Sequence, residues 1–212
     1  MKNSNFKILV INSGLGNIGS LINALNFLKF NVIEKKSYDS SEKIDCDGFI
    51  LPGVGSFPVG IKKIKDKNLD KLVYKLIDKE IPGLGICLGM QFLAKYSFEG
   101  GIKTKGLNIF EGNVERINPL DSSKVPHIGW SDTKVTTFTK PWQKSLNNAF
   151  YYVHSYAVNT KVENNKLATI SYGKKTFLAA IYRRRILGVQ FHPEKSQQQG
   201  LKLLKEYFLY EG

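Results

Sequence analysis

Cysteine and long apolar runs are both scarce in this sequence. Cys46 and Cys87 are the only cysteines among 212 residues, which is too few for a disulfide framework, so we expect a reducing, cytoplasmic environment. The first residues, MKNSNFKILVINSG, carry no apolar segment followed by a small-residue cleavage site, and we expect no signal peptide. No stretch approaches the length that spans a bilayer. The composition therefore predicts neither a secreted nor a membrane protein.

Acidic residues are also in deficit, because 18 Asp and Glu stand against 31 Lys and Arg, for a net charge of +13. Such a charge can attract nucleic acid or a membrane surface. The lysines are dispersed along the whole chain, however, and no interleaving of aromatic and basic residues indicates a nucleic-acid module. We interpret them as a solvated coat and expect no nucleic-acid or membrane partner. The cluster Arg183, Arg184 and Arg185 is a local exception that could meet an anion or a partner.

The hydrophobic pattern predicts an α/β fold. In the first half, strand-like runs such as FKILVI, GFILP and IPGLGIC alternate with helical periodicity, which is typical of a mostly parallel, doubly wound sheet. In the second half, short β segments separated by turn residues predict an antiparallel extension. GMQFLAKY is expected to begin a helix, and Ser196 is expected to cap the last one. Because no linker or repeat divides the chain, we expect one domain over residues 1–212.

A glycine motif follows the first predicted strand. In INSGLGNIGS, Gly14, Gly16 and Gly19 spell G-x-G-x-x-G, and Glu34 ends the next predicted strand, where a ribose-binding acid belongs in a dinucleotide site. The motif thus favours a dinucleotide-binding module as one hypothesis. A lone G-x-G-x-x-G is weak, however, and this hypothesis leaves the motifs described below unexplained.

Cys87 lies in Gly85-Ile-Cys-Leu-Gly89, between a predicted strand and a predicted helix. Small residues on both sides allow the sharp turn that exposes a nucleophile at the start of a helix. The first N–H groups of a helix lower the pKa of a thiol and can stabilise a negative oxygen. A lone cysteine is more often a small buried hydrophobe, which is how we interpret Cys46. For Cys87 the flanking glycines favour a nucleophile.

A cysteine nucleophile needs a proton carrier, and the sequence has three histidines, His127, His154 and His192. In GVQFHPEKS, Pro193 disfavours a helix at His192, so the segment is predicted to be extended. Residues two apart in an extended chain face the same side, which directs Glu194 with His192. A carboxylate beside an imidazole fixes its tautomer and supports its charged form. The sequence therefore predicts a Cys87–His192–Glu194 triad.

The loop PGVGS, residues 52–56, directly follows the third predicted strand. Ligands of doubly wound sheets bind beyond the carboxyl ends of the strands, and the fourth predicted strand ends at Cys87. This loop is therefore expected beside the cysteine, where it can offer main-chain N–H groups to a negative oxygen. A tight turn without any ligand is the equally common alternative for such a segment taken alone.

Five segments in order, LPGVGSF, GLGICLGMQFL, VPHIGW, FYYVHSY and GVQFHPEKS, together resemble the class I (triad) glutamine amidotransferases. Within that class they are most similar to glutaminase subunits of imidazole glycerol phosphate synthase. The resemblance covers nearly the whole chain. It implies that Cys87 attacks the side-chain amide of glutamine, that His192 transfers the protons, and that Glu194 orients His192. It implies no cofactor and no metal.

The resemblance also implies roles for residues around the triad. The oxyanion hole would be formed by the N–H of Leu88 and by one N–H from the loop Gly53, Val54 and Gly55. Three further positions resemble those that hold glutamine: Gln91, Ser155 and Tyr156. Four match positions near the docking face of a (β/α)8 cyclase subunit: Asn17, Trp130, Tyr151 and Lys195. In such a heterodimer the cyclase uses the ammonia to make imidazole glycerol phosphate and AICAR in histidine biosynthesis.

This sequence departs from the family pattern at three positions. Asn12 and Ser13 replace an acid and an aromatic residue before the first glycines, and Ser131 replaces the asparagine after PHIGW. These sites lie toward the partner side, so they leave open a paralogous glutaminase that feeds a sugar amidotransferase of surface-polysaccharide biosynthesis. His127 and His154 either line the docking face or lie in the core. A non-catalytic module, including the dinucleotide-binding hypothesis, is the alternative of another class.

Overall fold

The computed structural model describes residues 5–16, 18–136, 138–163 and 166–211. Its first half alternates strands with helices, as the hydrophobic pattern predicts. The elements of this half are β1 (Lys7–Ile11), α1 (Gly19–Phe27), β2 (Asn31–Lys35), β3 (Gly48–Gly53), α2 (Phe57–Asp66), α3 (Leu69–Asp78), β4 (Gly83–Cys87) and α4 (Leu88–Phe92).

The second half is built mainly of strands and closes with one long helix. Short 3₁₀ turns precede β9 and α5, at Pro141–Leu146 and Pro193–Lys195. The elements of this half are β5 (Ala94–Ser97), β6 (Thr104–Lys105), β7 (Phe110–Arg116), β8 (His127–Val135), β9 (Ala149–His154), β10 (Tyr156–Asn159), β11 (Lys166–Tyr172), β12 (Lys175–Arg183), β13 (Ile186–Val189) and α5 (Gln197–Glu211).

The main sheet has nine strands in the order β2-β1-β3-β4-β13-β12-β11-β8-β9. The portion from β2 to β13 is parallel, and the remainder is antiparallel. A second sheet has the order β10-β7-β5-β6. This arrangement confirms the predicted α/β class with an antiparallel extension.

The pairing of β4 with β13 determines where the functional residues meet. These two strands are parallel neighbours, and Ile86 pairs with Val189 near their carboxyl ends. Cys87 follows Ile86 directly, and His192 lies just beyond Val189. The chain thus brings its predicted nucleophile and predicted base to one edge of the sheet, where parallel sheets carry their ligand sites.

Alternating side chains of the strands fill two hydrophobic clusters on opposite faces of the main sheet. In β1, Ile8 and Val10 join one cluster, whereas Leu9 and Ile11 join the other. The helices cover these faces with apolar stripes, and in α3 the buried positions keep the helical spacing: Leu69, Leu72, Val73 and Leu76. None of the helices in the described ranges is both long enough and apolar enough to cross a membrane.

Two local predictions are corrected by the structure. The helix expected over GMQFLAKY ends at Phe92, because the following carbonyls are taken by another segment: Leu93 O accepts from Phe110 N at 2.9 Å, and Ala94–Ser97 becomes β5. Ser196 precedes α5 as expected, but its hydroxyl does not cap the helix. It donates to the carbonyl of His192 at 2.6 Å and accepts from the N–H of Tyr151 at 3.0 Å.

Candidate active site

Cys87 occupies a strained turn between β4 and α4. Its backbone has φ 52° and ψ −111°, a left-handed region that residues with a side chain rarely adopt. The turn packs closely on β3, since a Cβ at Gly89 would lie 1.8 Å from the carbonyl oxygen of Leu51. A Cβ at Gly85, in β4, would lie 2.9 Å from Met90 Cα in α4. Only glycine fits at these two positions, which is the physical basis of the predicted elbow.

His192 and Glu194 form a buried pair beside this turn. His192 Nδ1 lies 2.8 Å from Glu194 Oε1, and because a carboxylate only accepts, Nδ1 carries a proton. His192 is extended, as predicted, whereas Glu194 reaches it from the 3₁₀ turn Pro193–Lys195 rather than from an extended chain. His192 Nε2 is buried and has no hydrogen-bond partner of standard geometry in the described part of the chain. That nitrogen is therefore available to a reacting group.

The charge of His192 is set by burial and by its two neighbours. Burial lowers the pKa of the imidazole, but a negative Cys87 sulfur and the Glu194 carboxylate favour the imidazolium, outweigh this effect and raise the pKa to about 10. The backbone of His192 is fixed by the N–H donated to Tyr151 O at 2.9 Å and by the Ser196 hydroxyl. An imidazole that is held rigidly with Nδ1 on Glu194 suits proton transfer through Nε2 to and from sulfur.

The loop after β3 lies against the cysteine turn. Gly53 pairs with Cys87 in the parallel ladder, and a Cβ at Gly53 would lie 3.1 Å from the main-chain nitrogen of Gly89. Gly55 has φ +104°, which favours glycine. The structure thus brings Gly53, Val54 and Gly55 to the same place as Leu88, the arrangement that an oxyanion hole requires.

A cavity of about 330 Å³ opens onto Cys87. Its lining includes the two loops, the residues predicted to hold glutamine and several others: Val54, Gly55, Cys87, Leu88, Gln91, Glu99, Pro126, Val153, His154, Ser155 and Tyr156. No group of three or more His, Cys, Asp or Glu side chains suited to a metal ion occurs among the residues that the structure describes.

A family model described as "Glutamine amidotransferase class-I" matches residues 9–210. The chain belongs to this family. Its curated relatives include the imidazole glycerol phosphate synthase subunit HisH of Caldanaerobacter subterraneus subsp. tengcongensis, which is 39% identical over 93% of this chain and 95% of the relative. The HisH of Oceanobacillus iheyensis is 39% identical over 94% and 97%. A protein named HisH 2 from Vibrio vulnificus is 38% identical over 95% and 93%.

Solved structures support the same fold for this amidotransferase. A crystal structure of a glutamine amidotransferase superposes with a TM-score of 0.70 at 21% identity, covering 96% of this chain and 97% of that one. The structure of PurLQS from Thermotoga maritima gives a TM-score of 0.73 at 14% identity, with 97% and 99% covered. These structures confirm the fold, and the family model confirms the resemblance to class I glutamine amidotransferases over residues 9–210.

Glu99 is a cavity residue of the amidotransferase that sequence reasoning missed. Glu99 lines the cavity, and its Oε2 accepts a hydrogen bond from the N–H of Phe57, at the start of α2, at 2.8 Å. Glu99 lies in a surface turn outside every motif, and no periodicity marks it. The one available signal was chemical, because an amino-acid substrate brings an ammonium group that needs an acid.

His127 and His154 form a buried chain that ends at the cavity of the amidotransferase. The Tyr156 carbonyl only accepts, so His154 Nδ1, at 3.0 Å, must donate to it; His154 Nε2 then accepts from His127 Nδ1 at 3.2 Å. His127 Nε2 in turn accepts from the Ser131 hydroxyl at 2.9 Å. Burial lowers the pKa of each imidazole to about 4, with a further contribution at His154 from the other histidines. Both imidazoles are therefore neutral at pH 7.

Three of the four residues predicted at the partner face lie together on the surface of the amidotransferase. Trp130 pairs with Tyr151 across β8 and β9, with ring centroids 6.3 Å apart. Lys195 is exposed on the turn that carries His192. Asn17, the fourth, lies outside the described residues. Trp130 is 46% exposed and Ile128, which is two positions away on the same strand face, is 60% exposed.

The glycine motif of the first loop has a structural explanation in the amidotransferase. A Cβ at Gly16 would lie 2.1 Å from Val54 Cγ2, so this glycine allows the loop to contact the loop after β3. Asn12 Oδ1 accepts the N–H of Gly14 at 2.8 Å, and Asn12 Nδ2 donates to Glu34 at 2.6 Å. Glu34 thus holds this loop through Asn12, so Gly14, Gly16 and Glu34 each have a structural role without a dinucleotide.

Proposed function

We propose that this chain hydrolyses glutamine to glutamate and ammonia and supplies the ammonia to the cyclase subunit of imidazole glycerol phosphate synthase. The observation that carries the proposal is the buried His192–Glu194 pair beside Cys87, whose side chain lines the cavity. The HisH relatives are named as subunits of that synthase. We also propose that residues 1–212 form one amidotransferase domain that acts in the cytoplasm as half of a heterodimer.

In the proposed mechanism, the Cys87 sulfur attacks the side-chain carbonyl carbon of glutamine after His192 takes the thiol proton. The negative oxygen of the tetrahedral intermediate is stabilised by the N–H of Leu88 and by one N–H of Gly53, Val54 or Gly55. His192 then gives its proton to the departing ammonia. Water activated by His192 hydrolyses the glutamyl thioester, and the Cys87 sulfur is released. Glu194 keeps Nδ1 protonated throughout, so that Nε2 performs each transfer.

The cavity suits a small zwitterion that carries a carboxamide. A volume of about 330 Å³ accommodates one amino acid and lies at the small end of the range of ligand sites. Gln91, Ser155 and Tyr156 supply polar groups along one wall, and Glu99 supplies a carboxylate that can pair with an ammonium group. We assign glutamine binding to these four residues.

The surface patch Ile128, Trp130, Tyr151 and Lys195, in which Tyr151 is half-buried, is the proposed docking surface for the cyclase. Aromatic and aliphatic side chains at the surface are typical of the centre of a protein interface, and a lysine beside them fits the polar rim. The patch is directly connected to the base, since the main chains of Tyr151 and His192 are hydrogen bonded. Asn17 is assigned to the same surface on the family resemblance alone.

Glutamate release from glutamine tests the proposal under three conditions: the protein alone, with the histidine-pathway cyclase of its own source, and with that cyclase plus its nucleotide substrate. Cys87→Ala is the blank. We expect strong stimulation in the third condition and none in the blank. If glutamate release is the same with and without the cyclase, the chain is a glutaminase but its partner is not this cyclase. The partner would then be sought among sugar amidotransferases. Glutamate release that survives in Cys87→Ala would contradict the proposed nucleophile.

A further inference from the structure

The Cys87 sulfur has two polar neighbours besides His192. The amide of Gln190 donates from Nε2 to Sγ at 3.6 Å, and the thiol faces the main-chain carbonyl of Val153 at 3.8 Å. These contacts favour opposite protonation states, because an N–H stabilises a negative sulfur whereas a carbonyl oxygen accepts from a thiol and repels a thiolate. Of the two, Gln190 is the group that can support the attacking form.

The orientation of the Gln190 amide follows from its hydrogen-bond partners. The Tyr156 carbonyl only accepts, so the atom of Gln91 that lies 2.9 Å from it must be Nε2. The same Nε2 lies 3.1 Å from Gln190 Oε1, which leaves Gln190 Nε2 facing the sulfur. If the Gln190 amide were flipped, its NH2 group would face the NH2 group of Gln91, and its Oε1 would face the Cys87 sulfur. The chain of amides therefore permits a single arrangement.

Gln190 is also shielded from water and rigidly held. Its exposed fraction is 0% and that of Gln91 is 4%, while the N–H of Gln190 donates to Ala179 O at 2.9 Å in the sheet. A donor that is fixed before the reaction needs no reorganisation when charge develops on its partner. In a buried site, such a hydrogen bond to an ion is also stronger than one made in water.

We propose that Gln190 is a catalytic hydrogen-bond donor to the Cys87 nucleophile, and that Gln91 and the Tyr156 carbonyl position its amide. The inference rests on the proposed function, since it concerns the same sulfur. Gln190 stabilises the thiolate formed when His192 takes the proton. Forming the C–S bond moves the negative charge to the substrate oxygen. When water cleaves that bond, the charge returns to the sulfur, and Gln190 stabilises it again.

The test measures how the alkylation rate of Cys87 by iodoacetamide depends on pH, from about pH 5 to about pH 10. The full chain carries Cys46→Ala, so that mass spectrometry follows one thiol. Gln190→Met keeps the size of the side chain and removes the donor. We expect the pH midpoint of alkylation to rise by about one unit, which makes alkylation about tenfold slower below the midpoint.

Gln143→Met is the matched control. Gln143 is another buried glutamine, 1% exposed, whose side-chain amide bonds to Thr139 and Lys140 and to no other residue that the structure describes. Its replacement also removes buried hydrogen bonds, so it reports general destabilisation, and its alkylation midpoint should equal that of the parent. Thermal melting of each variant verifies folding.

An unchanged midpoint in a folded Gln190→Met protein would overturn the inference while leaving Cys87 as the nucleophile. If Gln190→Met gives no melting transition, the alkylation midpoint is measured in Gln91→Met instead. That variant leaves the sulfur untouched but frees the Gln190 amide, so a smaller rise of the midpoint is expected, and no rise rejects the inference. Failure of the parent Cys87 to react at any pH would instead reject the nucleophile and, with it, the proposed function.

Discussion

The charge of His192 depends strongly on its neighbours. Burial alone lowers the pKa of the imidazole, yet Cys87 and Glu194 raise it to about 10 from the ordinary 6.5. Because the folded pKa lies above the unfolded one, this interaction stabilises the fold fully below pH 6.5. The contribution is lost as the pH rises toward about 10, where folded His192 releases its proton.

Glu194→Gln should therefore destabilise the protein more at low pH than at high pH. The variant loses the charge that supports the imidazolium, and we expect its free energy of unfolding to fall by about 1–3 kcal/mol near pH 6. The deficit should shrink as the pH passes about 10. Urea unfolding at both pH values measures it. Glu163→Gln is the control, since this glutamate is exposed, and a deficit for Glu194→Gln that does not depend on pH would contradict the assignment.

At the scale of elements, the site depends on how closely the β4–α4 turn approaches β3. The backbone of Cys87 is strained, and the strain is maintained by neighbours that leave no room for a side chain at Gly89. The same approach brings Gly53 within reach of the start of α4. The geometry of the nucleophile and that of the loop beside it thus have one structural cause.

Gly89→Ala should break this arrangement. Its Cβ would lie 1.8 Å from the Leu51 carbonyl oxygen, and relieving the clash must move β3 or α4 at a cost of about 3 kcal/mol or more. Gly101→Ala is the control, because Gly101 also lies in a turn but has nothing within 4 Å of the added Cβ. It should cost about 1 kcal/mol for its positive φ. Melting temperatures compare the two, and equal losses would refute the packing argument.

Strands β8 and β9 carry a second pH-sensitive feature, the paired His127 and His154. Each has a folded pKa lowered from 6.5 to about 4, mainly by burial. Between these values the unfolded chain binds protons that the folded chain does not, so stability is present above pH 6.5 and lost as the pH falls toward about 4.

His127→Phe should make the protein less sensitive to acid. Phenylalanine can keep the ring stacking with Tyr152 and Tyr172 but cannot take a proton. Between pH 6.5 and pH 5, the parent should lose about 1.6 kcal/mol more than the variant, because the slope reaches about 1.4 kcal/mol per pH unit only once the unfolded histidine is fully protonated. Chemical unfolding at several pH values gives both slopes. From pH 7 to pH 8 the free energy of unfolding should change with pH equally in both proteins. If it also changes equally below pH 6.5, His127 is protonated in the folded parent and the prediction is wrong.

The predictable part of the fold and site is the part encoded locally. The alternation of strand-like and helical patterns predicts the parallel half of the sheet, and the glycines around Cys87 predict the turn there. Both features depend on residues that are adjacent in sequence. The end of α4 was missed because main-chain groups of residues 106–110 bond to it across the fold. Glu99 and Gln190 were missed for a similar reason: their partners, Phe57 and Cys87, are distant in sequence. Family resemblance supplied the docking residues, which no local pattern indicates.

At the scale of the whole molecule, the end of the chain is tied to the sheet by a buried carboxylate. Glu211, at the end of α5, is 4% exposed and binds Lys140, Trp142 and Arg185, with Trp142 Nε1 at 3.0 Å and Arg185 Nε at 3.5 Å. Arg183 donates to Ile109 O at 3.0 Å. Two members of the arginine cluster thus have structural partners, and the cluster is explained in part without an external anion.

Glu211→Gln should weaken this closure. Burial raises the pKa of the carboxyl, but the hydrogen bonds from Lys140, Trp142 and Tyr182 outweigh it and leave the pKa below its ordinary 4.5. The carboxylate therefore stabilises the fold above that pH, and the stabilisation is lost on acidification. We expect the variant to lose about 1–3 kcal/mol at pH 7, less than for a fully buried pair, because Lys140 and Arg185 are partly exposed. Urea unfolding at pH 7 and near pH 3 measures the loss, which should be smaller in acid. A loss no larger at pH 7 than that of Glu163→Gln would show that α5 is held by its apolar face alone.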